Sequence, residues 1–303
     1  MPSRPFRETP RVAPLGLPRR RKLLGLVLLT LTTALWGTSF SFIKLSVESI
    51  PSLLYTSLRC LLSTALLTPL ALAKALLRGF NYASYLRGIA IGIAYTLGLL
   101  LQGEGTRYTA PSVSAFLTAL NSVNVHLYVA LVKRRYHPLD GMAITLATAG
   151  LYVISRPSGG LGLGEVLLIL GSVAWAAQVV LVSKFGWGSP LELLLGTFTP
   201  GALLTLLTLA TGAPEVGSEV LLYLTYLALL CSIAATFLQV LGQRHVSPVT
   251  AAVVFLLEPV FALAFSLALG LEEVSLGKVV GGGLIVASTY VATLSELRRE
   301  GRR

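Results

Sequence analysis

Charge of either sign is scarce in this chain. Asp, Glu, Lys and Arg make up 12% of its 303 residues, half of the roughly 25% carried by soluble domains. Aspartate occurs once, at Asp140, and histidine only at His126, His137 and His245. An intramembrane enzyme would need an H-E-x-x-H motif, an aspartate pair or a Ser/His dyad, and residues this few and scattered supply none. No catalytic residue, metal site or cofactor is therefore expected. Cysteine is equally sparse. Cys60 and Cys231 lie far apart inside apolar runs, without a CxxC motif or a neighbouring ligand, and read as small buried apolar side chains. The run Gly159-Gly160-Leu161-Gly162-Leu163-Gly164 lacks the Lys-Ser/Thr ending and βαβ setting of a phosphate loop.

Apolar residues fill the space left by the charges. They form 54% of the chain, and the mean hydropathy is +0.77. The net charge of +11 does not point to nucleic acid, because the positive residues sit in short segments between apolar runs and at the two ends. That is how a membrane protein faces an anionic leaflet. The predicted class is an all-α integral membrane protein. A spanning helix needs about 20 mostly apolar residues. Ten transmembrane helices are predicted, over 23–43, 52–73, 85–104, 110–131, 138–155, 164–184, 190–211, 219–242, 248–270 and 275–295. The first run is too long for a signal peptide and lacks an A-x-A site. With the N-terminus in the cytoplasm, nineteen Lys and Arg fall on the inner side and four on the outer. This predicts a multi-pass plasma-membrane protein with both termini cytoplasmic.

The spans repeat. Trp36 aligns with Trp175 and Pro51 with Pro190, at an offset of 139 residues. Arg107 aligns with Arg244, Pro111 with Pro248, Ala115 with Ala252 and Val123 with Val260, at an offset of 137. The organisation predicted is a disordered basic arm (1–22), a first repeat (23–155), a linker (156–163), a second repeat (164–295) and a basic tail (296–303). Each repeat holds five spans. Five is odd, so the second copy enters from the opposite face, giving two inverted five-helix repeats. In such folds a substrate site lies near the midplane between the repeats.

Polar side chains inside the spans either face a cavity or bond a neighbouring helix. Helical spacing sorts them into faces. The first span offers Thr32, Trp36, Ser39 and Phe40, the third Tyr95 and Gln102, and the fourth Ser114, Thr118, Asn121, Asn124 and Tyr128. The sixth offers Ser172, Trp175 and Gln178, the eighth Ser232, Thr236, Gln239 and Gln243, and the ninth Phe255, Glu258, Phe261 and Phe265. Glu258, followed by Pro259, is the costliest group, a carboxylate deep in an apolar run. It can take up a proton and couple proton movement to transport, bind a substrate ammonium, or serve as a structural partner to Gln239 or Trp175. Arg59 lies about two turns into the second span, too deep to snorkel easily. Lys44 closes the first span and can reach the interface. Gly281, Gly282 and Gly283 let helices approach closely, inside the fold or at a dimer face.

Two stretches carry a resemblance. Residues 34–67, ALWGTSFSFIKLSVESIPSLLYTSLRCLLSTALL, have Trp-Gly early in the first span, a closing Lys, a Pro opening the second span and an Arg within it. Residues 244–288 have Ser-Pro-Val, Glu-Pro-Val-Phe, Gly-x-Glu-Glu and a glycine-rich last span. The chain resembles the EamA-type transporters of the drug/metabolite transporter (DMT) superfamily over about residues 23–295. The resemblance implies a ten-helix basket, a central cavity and alternating access, with amino acids and other small metabolites moved, often outward. The first repeat departs from the second in carrying Asn121-Ser122 where the other has Glu258-Pro259. The expected function is secondary transport of a small polar or amphipathic metabolite, an amino acid or related compound. Substrate-binding residues expected are Trp36, Tyr95, Asn121, Asn124, Trp175, Gln178, Gln239 and Glu258. Glu258, Arg59 and Lys44 are candidates for coupling or charge pairing, with protons as the coupling ion. A nucleotide-linked or lipid-linked sugar carrier is the alternative, although its anionic cargo would want several buried cations.

Overall fold

The computed structural model describes residues 19–132, 138–154, 161–210, 212 and 215–300. Most of the basic arm and the linker, the basic segment at Lys133-Arg134-Arg135 and the last three residues of the tail lie outside that set. Among the described residues eight helices are long and apolar enough to cross a membrane: α1 (Arg19–Ser49), α2 (Ser52–Arg78), α3 (Tyr82–Tyr108), α4 (Pro111–Val132), α6 (Leu163–Phe185), α7 (Pro190–Ala210), α8 (Ser218–Gln243) and α9 (Pro248–Ala268). Two further helices, α5 (Pro138–Ile154) and α10 (Leu276–Glu300), carry shorter apolar stretches, Gly141–Gly150 and Leu276–Ser288. By that measure eight of the ten expected spans are present at full length. The described residues contain no strand.

Apolar side chains cover the outside, as lipid as a solvent requires, and polar side chains are buried inside among apolar ones. Leu76, Leu77 and Leu206 point outward, while Thr32, Thr33, Ser41, Ser57 and Gln178 are fully buried. Most of the hydroxyls bond a carbonyl three or four residues back in their own helix, as at Thr33, Ser46 and Ser63. α1 continues to Ser49, beyond the span expected to end at residue 43, because nothing interrupts it before Pro51.

Packing partners exchange when the two halves are swapped. α3 lies against α6 and α7, and α8 against α1 and α2; α4 lies against α6, and α9 against α1. α2 and α7, α4 and α9, and α5 and α10 pair across the halves. Small residues permit this closeness. Gly88, Gly92 and Gly196 bring the backbones of α3 and α7 into contact. Gly282 lies under the Phe116 ring and Gly281 O sits against Gly150, so these two glycines serve internal packing; Gly283 faces open space.

Two carboxylate straps tie helix ends together. Glu192 at the start of α7 accepts from Lys74, Ser189 and the Asn81 backbone N–H. Glu272, after α9, accepts from Lys278 Nζ at 2.7 Å, Ser266 Oγ at 2.5 Å and Ser112 N and Oγ at 2.8 and 2.6 Å. Burial alone would push the Glu272 carboxyl up, but these bonds outweigh it and hold it below the usual carboxylate range.

Candidate functional site

A cavity lies between the halves. Its wall comes from α1 to α4 in the first half and from α6 and α9 in the second. Trp36, Tyr95, Asn121, Trp175, Gln178, Glu258 and Arg59 all line it, together with Ser39, Leu99, Gln102, Thr118, Val179 and Phe255.

The helices present these residues because of local irregularities. α9 changes to a single 3₁₀ turn at Phe255–Leu257, directly before Glu258. Pro259 has no N–H to offer Phe255 O, which instead accepts from the Glu258 N–H. α4 breaks at Ala119, where Ser122 N bonds Ala119 O three residues back. Ala119 and Leu256 are related by the 137-residue repeat offset. The discontinuity therefore recurs in both halves, although only one has a proline. α8 opens into a π-helix at Leu227–Ala234, a form frequent at functional sites.

That π segment organises one wall. Trp36 Nε1 donates to Cys231 O at 3.0 Å, and the Trp36 ring packs on Phe255 with centroids 5.2 Å apart. Ser232 Oγ accepts from Arg59 Nε at 2.8 Å and from Tyr95 Oη at 3.0 Å. Arg59 Nη1 donates to Tyr55 Oη at 2.6 Å. Arg59 is only 2% exposed, and among the described residues it has no carboxylate partner; its Nη2 makes no hydrogen bond there. Two hydroxyls and the cavity surround the guanidinium.

An adjoining part of the wall is built on Trp175. Its ring meets Tyr95 edge-on at 5.3 Å and lies over Gly98, where a Cβ would come within 2.8 Å of the indole. The Trp175 Nε1–H is buried and has no hydrogen-bond partner among the described residues. Below it, Gln178 and Gln239 exchange two amide hydrogen bonds of 2.9 and 3.0 Å. Asn121 reaches the cavity, with its Oδ1 3.2 Å from Ser122 Oγ.

Glu258 is 6% exposed, and its carboxylate makes no ion pair or hydrogen bond among the described residues. Neither structural partner considered for it serves: Gln239 is taken by Gln178, and Trp175 Nε1 has no hydrogen bond among the described residues. Gly37 lets α1 close on this turn, with its would-be Cβ 3.1 Å from Glu258 O.

Three expected residues are not on the cavity wall. Asn124 turns to α6 and donates to Ser172 Oγ at 2.9 Å. Gln239 is fully buried behind Gln178. Lys44 bonds Arg107 O at 2.8 Å and pairs with Glu48 at 3.2 Å near the helix end. Tyr128, grouped with the polar face of α4, is 48% exposed. Ser39, Gln102, Thr118 and Phe255, on the polar faces that helical spacing defines but outside the expected binding set, also line the cavity. Leu99 and Val179 carried no polar signal and were missed.

Comparison with known proteins adds a family. The model of the EamA-like transporter family matches residues 23–156 and again 162–294. An uncharacterized transporter of Archaeoglobus fulgidus is 27% identical over 290 residues, covering 92% of this chain and 88% of that one. The uncharacterized inner membrane transporter YedA of Escherichia coli K12 is 28% identical over 282 residues, covering 86% and 88%. A crystal structure 19% identical in sequence superposes with a TM-score of 0.63 over 93% of this chain and 99% of the other, a likeness of fold.

Proposed function

Since the chain belongs to the EamA-like transporter family and is a multi-pass membrane protein, we propose that it is a secondary transporter for a small polar or amphipathic metabolite. The cargo on this reading is an amino acid or related compound, moved outward across the plasma membrane by alternating access. The ten helices form two inverted five-helix repeats with both termini cytoplasmic. The Glu192 strap then lies at the cytoplasmic face and the Glu272 strap at the outer one.

The observation that carries the reading is a cavity walled by both repeats in which a buried carboxylate, Glu258, has no protein partner among the described residues. A carboxylate in that position is expensive unless a ligand or a proton satisfies it. Trp36, Trp175 and Phe255 supply apolar surface for the rest of a small molecule. One cation and one anion on the wall do not suit a polyanionic cargo such as a nucleotide-linked sugar.

Flux into proteoliposomes, measured over a metabolite panel with and without a pH gradient, tests this. The protein should move at least one amino acid or related compound, faster with the gradient. Glu258→Gln should remove the gradient dependence. Flux of no compound would sink the transport reading, and an unchanged gradient dependence in Glu258→Gln would sink the coupling role alone.

A further inference from the structure

The cavity holds a buried guanidinium and a buried carboxyl group that do not pair with each other. Arg59 is fixed by Tyr55 and Ser232 through Nε and Nη1, which leaves Nη2 without a hydrogen bond among the described residues. Glu258 has no bond of any kind there. Both line the same cavity. We infer that the cargo is dipolar, with its carboxylate docking on Arg59 and its cationic end on Glu258. This rests on the transport reading above and names the two ends that the site would recognise.

Electrostatics selects among the cargo classes. An uncompensated buried charge is costly in a low-dielectric setting. A neutral cargo leaves Arg59 uncompensated and Glu258 reliant on a proton. An anion relieves Arg59 and leaves Glu258 reliant on a proton, whereas a cation relieves Glu258 and leaves Arg59 uncompensated. A zwitterion relieves both and brings no net charge into the membrane. The fixed posture of Arg59 suits the role, because Tyr55 and Ser232 hold the guanidinium plane and a carboxylate can meet its remaining edge. The hydroxyl that holds Arg59 also accepts from Tyr95, which packs edge-on against Trp175. The anion anchor and the aromatic wall are thus one connected unit.

Phenylalanine and leucine serve as probes, each beside its decarboxylated amine and its N-acetyl derivative. Binding is read as ligand-dependent thermal stabilisation of the detergent-purified protein, beside flux of the same compounds in proteoliposomes. The intact protein should bind at least one free amino acid about tenfold or more tightly than its amine or its N-acetyl form, as loss of a charge-assisted bond implies. Arg59→Gln should weaken the amino acid to the level of the amine and leave the amine unchanged. Glu258→Gln should weaken it to the level of the N-acetyl form and leave that form unchanged. Such selective losses separate recognition from misfolding, and Arg59→Lys keeps the charge if Arg59→Gln does not fold. Amine or N-acetyl binding equal to that of the amino acid overturns the proposal, as does full amino-acid affinity in Arg59→Gln. Flux of other cargo but of neither amino acid overturns it while transport stands. Flux of nothing overturns both.

Discussion

Gln178 of α6 and Gln239 of α8 are joined by two hydrogen bonds, whereas their counterparts in the other half, Ser39 of α1 and Gln102 of α3, both line the cavity. The offset of 139 that relates Trp36 to Trp175 relates Ser39 to Gln178, and the offset of 137 that relates Arg107 to Arg244 relates Gln102 to Gln239. The tryptophans differ in the opposite sense. Trp36 Nε1 is tied to the π segment of α8, while Trp175 Nε1 is unbonded among the described residues. Serine is too short to clasp a glutamine across two helices, so its hydroxyl turns back to Trp36 O at 2.6 Å. The comparison shows how a duplicated scaffold becomes lopsided. The α6–α8 side is latched by side chains, with Gln178 still on the cavity wall, whereas Ser39 and Gln102 of the α1–α3 side line the cavity without such a latch.

The strongest way to break the comparison is to remove one member of the latch. Gln239→Leu leaves the Gln178 amide buried without its partner and should destabilise the protein by about 1–3 kcal/mol in thermal or denaturant unfolding. The double variant Gln178→Leu/Gln239→Leu should recover most of that loss, because neither polar group then remains. Additive losses would show that the pair is not coupled. A smaller effect is expected from building the missing latch. Ser39→Gln places a glutamine opposite Gln102 and should slow flux a few-fold, consistent with the roughly 0.6–2 kcal/mol such bonds contribute between membrane helices. Flux equal to that of the parent protein would mean that the asymmetry between the halves does not govern access.

The smallest effect concerns the Glu272 strap, whose first-half counterpart position, Arg135, lies outside the described residues. Its carboxyl is held below the usual range in the folded protein, so the strap contributes stability above the unfolded carboxyl's titration range. That contribution is lost as pH falls through the lowered folded value. Thermal stability compared between pH 7 and acid should therefore decline less in Glu272→Gln than in the parent. Parallel pH profiles would rule out the strap as the source.

Part of this site was legible from helical spacing alone. Trp36 and Ser39, Tyr95 and Gln102, Thr118 and Asn121, and Phe255 and Glu258 fall on single faces of α1, α3, α4 and α9, and those faces meet at the cavity. The same spacing could not separate Asn121 from Asn124, three residues on, because Ser172 of α6 draws the second amide away. Nor could it show that Ser232 would hold Arg59 and Tyr95 together, since that depends on the π segment of α8. The break at Ala119 had no proline to announce it.

The chain by itself determined the solvent, the number of apolar runs, the repeat and the polar face of each helix. These follow from composition and period, which are local properties of a helix in lipid. Which polar groups satisfy one another was decided only by tertiary structure. A hydrogen bond between helices depends on rotation, depth and close approach at glycines such as Gly98 and Gly37, and none of these is a property of one helix alone. The result is that Gln178 and Gln239 close on each other, while Arg59 and Glu258, with no ion pair between them, both line the cavity.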